Sequence, residues 1–329
     1  AETINSDLLE VALLANLTVL WQSDLVRPDR PPVMSEVSRG LYFASTLWDV
    51  VPQTYRELRS ALQTAYPQRH FDIPRILSFG TWIGGDRDGH PFVTAEITKR
   101  TFARLRRAAL EGHLAKCRLM HNQIVMSDQQ VMSDQALRDR IDQRCTRWPA
   151  LTERLAPLST RETYRRFIRM LEFQLERTLA SSNEGVRRDG AYTSVAEFGE
   201  DLELIRDSML ANRGQRVVEQ YLQPWMDLVR TFGFHYASLD IRQNSDVHRR
   251  CLLEVMALQG KGGSQPSDEE LAEFLTSDAS VAGIDLDQLS DEAREVFATV
   301  DVLVEEFEAW GQAPIGGYII SMTRSSLDV

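Results

Sequence analysis

Three short segments of this chain place arginine, carboxylate or hydroxyl groups directly after a strand-like run, and any chemistry is expected there. They are residues 79–91 (FGTWIGGDRDGHP), residues 239–245 (LDIRQNS) and residues 316–326 (GGYIISMTRSS). Ligands in parallel α/β folds bind beyond the carboxyl ends of the strands, where glycines let the backbone approach closely. The three segments are therefore the candidate sites.

The first segment offers a glycine pair and three charged residues directly after Trp82. Gly84 and Gly85 match neither a dinucleotide fingerprint nor a phosphate-binding loop, because no Gly-Lys-Ser/Thr follows them. Residues 86–89 (DRDG) lack the further acidic ligands of a calcium loop. Two interpretations stay open: a structural turn held by Asp–Arg pairing, and a ligand-binding loop.

The second segment ends a strand with an arginine that is suited to anions. Alternation along a strand places Asp240 and Arg242 on one face, opposite Leu239 and Ile241. A guanidinium can donate two parallel hydrogen bonds to a phosphate or carboxylate, and Asp240 would orient it. The alternative is a buried Asp240–Arg242 pair that serves only the specificity of the fold. The third segment is a weaker signal, and a buried core strand is its simplest interpretation.

Other catalytic or metal-binding patterns do not occur in the sequence. The six histidines show no ligand spacing such as HExxH, and no Gly-x-Ser-x-Gly elbow is present. The cysteines are scattered, which indicates reduced thiols that pack in the interior rather than a disulfide or zinc framework. They are Cys117, Cys145 and Cys251.

The composition is that of a folded, acidic protein. A chain of 329 residues with 43% hydrophobic and 26% charged residues buries a substantial core, which excludes intrinsic disorder. The formal net charge of −11 argues against a general nucleic-acid binder. No apolar run approaches the roughly 18 residues of a membrane span, and the N-terminal residues lack a secretory signal. These features predict a cytoplasmic protein.

The pattern of elements predicts a mainly α fold, a many-helix assembly with a few short parallel strands that form part of an incomplete (β/α) barrel. Long helical stretches separate the strand-like runs, which requires parallel pairing. The predicted strands are residues 76–83, 234–241 and 318–322. We treat the chain as one unit with four parts: 1–75 helical, 76–93 first strand and glycine-rich loop, 94–233 helical, and 234–329 second and third strands with helices.

Local signals predict where several helices begin, break and end. A serine followed three residues later by glutamate predicts a capping box at Ser159/Glu162, Ser194/Glu197 and Ser267/Glu270. Glycines just beyond periodic segments predict left-handed helix ends at Gly214, Gly260 and Gly311. The helical stretch over residues 34–66 is predicted to be interrupted near Pro52.

Taken in order, the three segments resemble the phosphoenolpyruvate carboxylases. That family has a strand followed by Trp-x-Gly-Gly-Asp-Arg-Asp-Gly-Asn-Pro, then Leu/Ile-Asp-Ile-Arg-Gln, then Tyr-x-Ile-Ser-Met. This chain matches the first pattern from Trp82 to Pro91, with His90 in place of Asn, and continues with Val-Thr-Ala. Residues 21–24 (WQSD) and other helical stretches are similar too, so the resemblance covers nearly the whole chain.

The resemblance implies a lyase that carboxylates phosphoenolpyruvate with bicarbonate to give oxaloacetate and phosphate, a CO₂-fixing step that feeds the tricarboxylic acid cycle. Arg242 would be catalytic and bind the substrate near its phosphate, and Trp82 would be catalytic beside a CO₂ pocket. Arg87 would hold the loop or contact the substrate indirectly. The resemblance also implies a homotetramer, and Mg²⁺ or Mn²⁺ held by residues outside this chain.

Two hallmarks of the family, Thr-Ala-His-Pro-Thr-Glu and Gly-Arg-Gly-Gly, are absent from these residues. We therefore expect an internal fragment of the longer enzyme that is inactive alone. Asn244 stands where many family members have Glu, and Leu327 replaces a common Ser. The alternative from a different class is a non-catalytic helical scaffold derived from the same fold. A weaker alternative is a nucleotide-binding enzyme that uses Gly84 and Gly85.

Overall fold

The computed structural model describes residues 4–23, 31–69, 71–88, 90, 92–184, 187–261, 266–276 and 284–328. Helices dominate these residues, which confirms the prediction of a mainly α protein. In chain order they are α1 (Ile4–Trp21), α2 (Val33–Gly40), α3 (Ala44–Ala65), α4 (Ala95–Gln123), α5 (Gln135–Arg147), α6 (Pro149–Leu155), α7 (Thr163–Glu184), α8 (Val195–Ala211), α9 (Gln215–Val217), α10 (Gln223–Phe232), α11 (Ser245–Leu258), α12 (Asp268–Thr276) and α13 (Asp291–Trp310). A π-helical turn, Val218–Leu222, joins α9 to α10.

The strands form one open sheet in which both pairings are parallel, as predicted. Its order is β1 (Gly80–Thr81), β2 (Ser238–Asn244) and β3 (Ile315–Ser321). The predicted boundaries are wrong: β1 is shorter than residues 76–83, β2 begins later than residue 234, and β3 begins before residue 318. A strand extends only where a neighbour completes its backbone hydrogen bonds, and propensity does not report where the neighbour lies.

The two largest hydrophobic cores of the described residues hold most of the helices together, and one of them covers a face of the sheet. The larger core lies among α4, α7, α8 and α10 and includes the fully buried Trp225. The second core lies between the sheet and helices α3, α4 and α10, and both Leu239 and Ile241 of β2 are fully buried in it. Because side chains alternate along a strand, Asp240 and Arg242 lie on the opposite face of β2.

Helix α3 continues through Pro52, so the predicted interruption there is wrong. A proline inside a helix removes one backbone hydrogen bond and costs about 3 kcal/mol. In α3, Val51, Pro52 and Tyr55 form a buried face, and Val51 and Tyr55 belong to the second core. Burial of this face compensates for the lost bond, a tertiary effect that local propensity does not contain.

One of the three predicted capping boxes is complete, and a second is formed only in part, because the Glu197 carboxylate accepts the N–H of Thr193 instead of that of Ser194. At the start of α8, the N–H of Glu197 donates to Ser194 Oγ at 3.1 Å. Before α12, the N–H of Glu270 donates to Ser267 Oγ at 3.3 Å, and the N–H of Ser267 donates to the Glu270 carboxylate at 2.7 Å. The prediction at Ser159 is wrong, because residues 159–162 form a turn and α7 begins only after it.

The predicted left-handed helix ends are partly correct. Gly260 and Gly311 have φ values of 64° and 74°. Gly214 has a φ of −86°, and the residue before it, Arg213, has the positive φ of 63°. Gly214 is nevertheless suited to its position, because a Cβ there would lie 2.7 Å from the carbonyl oxygen of Met209.

Helix α1 lies outside both cores. Its large apolar side chains from Leu8 to Leu20 are each more than half exposed, and Trp21 is 90% exposed. Although α1 is apolar, no helix within the described ranges is long and apolar enough to cross a membrane. Trp21 therefore contributes to neither core of the described residues.

A neutral histidine lies in the larger core between α4 and α10. The indole N–H of Trp225 donates to His113 Nδ1 at 3.2 Å, and His113 Nε2 donates to the Gly233 carbonyl at 2.7 Å. An indole only donates and a carbonyl only accepts, so these partners require the tautomer protonated on Nε2. Burial lowers the pKa of His113 from 6.5 to about 4.

We predict that His113 makes the protein less stable as the pH falls from 6.5 towards 4. In that window the unfolded chain binds a proton that the folded core excludes. The contribution of neutral His113 to the free energy of unfolding is therefore fully present above pH 6.5, and about 3 kcal/mol of it is lost by pH 4. Urea unfolding of wild type and His113→Gln at several pH values measures this. The variant should show a flatter pH dependence, and equal slopes for the two proteins would contradict the prediction.

Candidate active site

The first and second segments meet beyond the end of β1. The N–H of Arg242 donates to the Gly85 carbonyl, and the N–H of Arg87 donates to the Arg242 carbonyl, each at 2.9 Å. Asp86 and Arg242 therefore lie opposite each other as a parallel bridge. This pairing joins two residues that are 156 positions apart in the sequence.

Close packing explains why this loop contains two successive glycines. Gly84 has a φ of +90°, and a Cβ there would lie 2.2 Å from a side-chain oxygen of α4. A Cβ on Gly85 would lie 2.1 Å from the carbonyl oxygen of Asp240. The N–H groups of Gly85 and Asp86 donate to the Trp82 carbonyl at 2.9 and 3.0 Å. The loop therefore uses these donors internally, which disfavours the alternative that Gly84 and Gly85 bind a nucleotide.

Arg242 forms its ion pair with Asp86, not with Asp240. Arg242 Nη1 lies 3.2 Å from Asp86 Oδ2, and the two side chains are 35% and 24% exposed. The carboxylate of Asp240 instead accepts the N–H of Gly317 at 2.9 Å. The expectations that Asp240 orients Arg242, or neutralises it in a buried pair, are therefore wrong.

A β-bulge in β3 gives the physical reason for the position of Asp240. Between the pairs Leu239–Ile315 and Ile241–Tyr318, β2 has one residue and β3 has two, Gly316 and Gly317. A bulge removes a backbone donor from the ladder, and the Asp240 carboxylate satisfies it. A Cβ on Gly316 would lie 2.1 Å from Asp240 Oδ1, so this close approach also requires glycine.

Trp82 lies on the solvent side of the same loop. It follows β1 directly, and its side chain is 57% exposed. The loop that carries this flat apolar ring also carries Asp86, the partner of Arg242. An apolar surface and the carboxylate that pairs with Arg242 therefore lie on one short segment. Gly89 and Pro91 of the first motif lie outside the described residues.

Arg87 ties the loop to the first turns of α4. Its Nη2 donates to Thr98 Oγ1 at 2.7 Å and its Nη1 to the Gly85 carbonyl at 3.2 Å. Thr98 Oγ1 in turn donates to the Gly84 carbonyl at 2.8 Å. Burial lowers the pKa of the Arg87 guanidinium below its usual value, and the negative charge of Glu295 opposes that effect. The contacts of Arg87 therefore fix the conformation of the glycine pair.

The third segment lies beside the second, as the edge of the described sheet. Ser321 of β3 pairs with Asn244 of β2. Tyr318 and Ile319 are 39% and 42% exposed, so the interpretation of this segment as a buried core strand is wrong. Asn244 begins α11 as its N-cap and accepts the N–H of Asp246 at 2.9 Å. A glutamate at position 244 would put a negative charge beside this helix start.

Sequence reasoning missed two residues of this arrangement, Asp86 as the partner of Arg242 and Thr98 as the partner of Arg87. The position of Asp86 directly after the glycine pair is a local signal for a turn, but it does not reveal the strand opposite. Thr98 lies one turn into α4 and has no distinguishing sequence context. The Asp86 pairing depends on the register between segments that are 156 positions apart, and the Thr98 pairing depends on how the loop packs against the start of α4.

The described residues do not fit a metal centre. Within these ranges, no three His, Cys, Asp or Glu side chains lie close enough together to hold an ion. Asp86 and Asp240, the carboxylates beside Arg242, are each bonded to protein donors. We therefore assign no metal ligand to this part of the chain.

Comparisons with known proteins show which sequences this chain resembles. The family described as "Phosphoenolpyruvate carboxylase" matches residues 2–329. Proteins named phosphoenolpyruvate carboxylase from Roseiflexus castenholzii and Mycolicibacterium paratuberculosis are 33% and 32% identical to this chain over 94% and 100% of its length. One from Xanthomonas campestris is 32% identical over 95% of the chain. The chain spans 34%, 35% and 34% of these three relatives, respectively.

The family match covers all three motif segments and the helices between them, so the resemblance no longer depends on short patterns alone. Relatives from different bacterial groups align with nearly the whole chain. The chain belongs to the phosphoenolpyruvate carboxylase family.

Proposed function

We propose that this chain supplies the Arg242 and Trp82 part of the active site of a phosphoenolpyruvate carboxylase. The reaction joins phosphoenolpyruvate and bicarbonate to give oxaloacetate and phosphate. The observation that carries the proposal is the pairing of the Trp82 loop with the end of β2, which places the Asp86–Arg242 pair at the strand ends where parallel folds bind ligands.

The reaction demands a cation for the phosphoryl group. Bicarbonate oxygen attacks phosphorus, the bond from phosphorus to the enol oxygen breaks, and carboxyphosphate and pyruvate enolate form. Carboxyphosphate then releases CO₂ and phosphate, and the enolate carbon attacks the CO₂. Arg242 uses one nitrogen for Asp86 and presents its other N–H donors to the phosphoryl oxygens, where charge is redistributed in the first step.

The second step requires that CO₂ meet the enolate before it escapes. The exposed indole of Trp82 supplies an apolar wall that excludes water from that site. Arg87 serves the substrate indirectly, because its bonds to Thr98 and Gly85 fix the loop on which Trp82 lies. Arg87 therefore contributes to the substrate site by fixing the conformation of this loop.

We also propose a metal ion, a cellular location and an oligomeric state for the whole enzyme. A divalent cation, Mg²⁺ or Mn²⁺, would steady the enolate oxygen, with ligands that we assign to residues outside this chain. The complete enzyme is a cytoplasmic homotetramer that supplies oxaloacetate to the tricarboxylic acid cycle, and these 329 residues alone are inactive.

The direct experiment uses the protein at the full length that its gene encodes, called here the full-length gene product. It is incubated with phosphoenolpyruvate, bicarbonate and Mg²⁺, and oxaloacetate is measured by its reduction with malate dehydrogenase and NADH. We expect oxaloacetate from the full-length gene product and none from residues 1–329 alone. The absence of oxaloacetate from the full-length gene product would contradict the proposal and favour a scaffold.

We predict that Trp82→Ala in the full-length gene product uncouples the two steps. Without the indole, water enters and CO₂ escapes, so the ratio of pyruvate to oxaloacetate should rise several-fold while phosphate release continues. The ratio is measured by assaying both products from one reaction. Trp82→Phe keeps an apolar ring and should give a ratio close to wild type. An unchanged ratio in the alanine variant would remove Trp82 from the CO₂ pocket.

A further inference from the structure

The two carboxylate oxygens of Asp86 have separate partners. Oδ1 accepts the N–H of Asp88 at 3.2 Å, which fixes the carboxylate to its own loop. Oδ2 accepts from Arg242 Nη1 at 3.2 Å. The main-chain bonds from Arg242 to Gly85 and from Arg87 to Arg242 hold the loop against β2 on both sides of Asp86. The carboxylate therefore keeps its place beside the Arg242 side chain.

Arg242 is restrained at one nitrogen and open at the others. Among the residues that the structure describes, its guanidinium forms a side-chain hydrogen bond only with Asp86. A guanidinium has five N–H donors in a planar fork, so most of them stay available to an anion. A long side chain that is already held in one direction loses less rotamer freedom when it binds a ligand.

We propose that Asp86 is a positioning residue for the carboxylation, which fixes the direction of the Arg242 guanidinium and leaves its free N–H donors aimed at the phosphoryl group. This inference rests on the proposed function, because it assigns Asp86 a role in the same site. Asp86 itself does not touch the substrate. It acts through Arg242, and its effect should disappear when Arg242 is absent.

Neighbouring carboxylates do not share this role. Asp240 lies on the same face of β2, but its carboxylate caps the bulge at Gly317. Asp88 follows Asp86 by two residues, and within the described residues its carboxylate forms neither a hydrogen bond nor an ion pair that includes Arg242. Asp88 is therefore the matched control for removal of a carboxylate from this loop.

The test is a double-mutant cycle in the full-length gene product, with kcat/KM for phosphoenolpyruvate measured for wild type, Asp86→Asn, Arg242→Gln and the double variant. Asparagine keeps an oxygen for the Asp88 N–H but loses the charge-assisted bond to Arg242. We expect Asp86→Asn to lower kcat/KM about 10- to 100-fold in the wild-type background. In the Arg242→Gln background it should cost less than about threefold, because nothing remains to be positioned.

Two controls separate positioning from loop stability. Asp88→Asn should stay within about twofold of wild type, and the melting temperature of Asp86→Asn should match that of wild type. Equal losses from Asp86→Asn in both backgrounds would overturn the inference, as would a fall in its melting temperature that accounts for the lost activity. An inactive wild-type protein would refute the proposed function itself, whereas an active wild type with an additive cycle refutes only the role of Asp86.

Discussion

Replacement of Arg242 by alanine in the full-length gene product should lower kcat/KM for phosphoenolpyruvate by about 100- to 1,000-fold. The guanidinium stabilises charge that is redistributed on the phosphoryl oxygens as bicarbonate attacks, and loss of one such donor group typically costs this factor. Arg242→Lys keeps the positive charge but loses the planar fork, so we expect an intermediate loss. Steady-state oxaloacetate formation over a range of phosphoenolpyruvate concentrations measures all three proteins.

A matched control for this prediction is Arg249→Ala in α11. Arg249 is also part of an ion pair, with Asp268 at 3.0 Å, but its side chain is 38% exposed and that of Asp268 is 64% exposed. Exposed pairs contribute little to stability, and this pair includes no residue of the Trp82 loop or of β2, so kcat/KM of this variant should stay within about twofold of wild type. A value of kcat/KM for Arg242→Ala that is close to wild type would contradict the assignment of Arg242.

The largest expected effect on stability comes from Glu306. Its carboxylate bonds to Nη1 of Arg106, and the two side chains are only 10% and 6% exposed. Arg106 Nε also donates to Ser182 Oγ at 2.8 Å, and Nη1 lies 3.3 Å from His235 Nε2. Glu306→Leu would leave a buried guanidinium without its counter-charge. We expect the free energy of unfolding to fall by about 3–5 kcal/mol in urea titrations.

Two further variants show whether that loss is due to the unpaired charge. Glu305→Gln removes the adjacent carboxylate, whose ion pair with Lys99 is 2.7 Å long and exposed on both sides, and should cost less than about 1 kcal/mol. The double variant Arg106→Met/Glu306→Leu removes both buried charges and should recover much of the stability. A Glu306→Leu protein as stable as wild type would show that Arg106 is not paired in this way.

Parallel pairing of the strands was predictable because it follows from sequence distance. Long helical stretches separate the strand-like runs, and hairpins cannot form across such distances. The three motif segments were also located correctly on or beside the strands, although β2 continues to Asn244, so Arg242 lies among its last residues and not beyond them. Those predictions depend on chain order and local pattern, which the sequence contains in full.

The side-chain partners in the site were not predictable, because they depend on register. Asp240 and Arg242 share a face of one strand, so their pairing looked most direct from the sequence. At the bulge, the Asp240 carboxylate accepts the N–H of Gly317 in β3. Asp86 lies opposite Arg242 in the loop that follows β1, the other strand beside β2. The prediction of a helix break at Pro52 was wrong for a related reason. Packing of α3 against a core built from distant segments compensates for the free energy that the proline costs locally.

The most direct test of the proposed chemistry follows oxygen from bicarbonate to phosphate in the full-length gene product. The protein is mixed with phosphoenolpyruvate and ¹⁸O-labelled bicarbonate, and the phosphate is analysed by mass spectrometry before the label exchanges with water. If bicarbonate oxygen attacks phosphorus, each phosphate released should carry one oxygen from bicarbonate. Unlabelled phosphate, which would show attack by water, would contradict the assignment of this chain to a carboxylating active site.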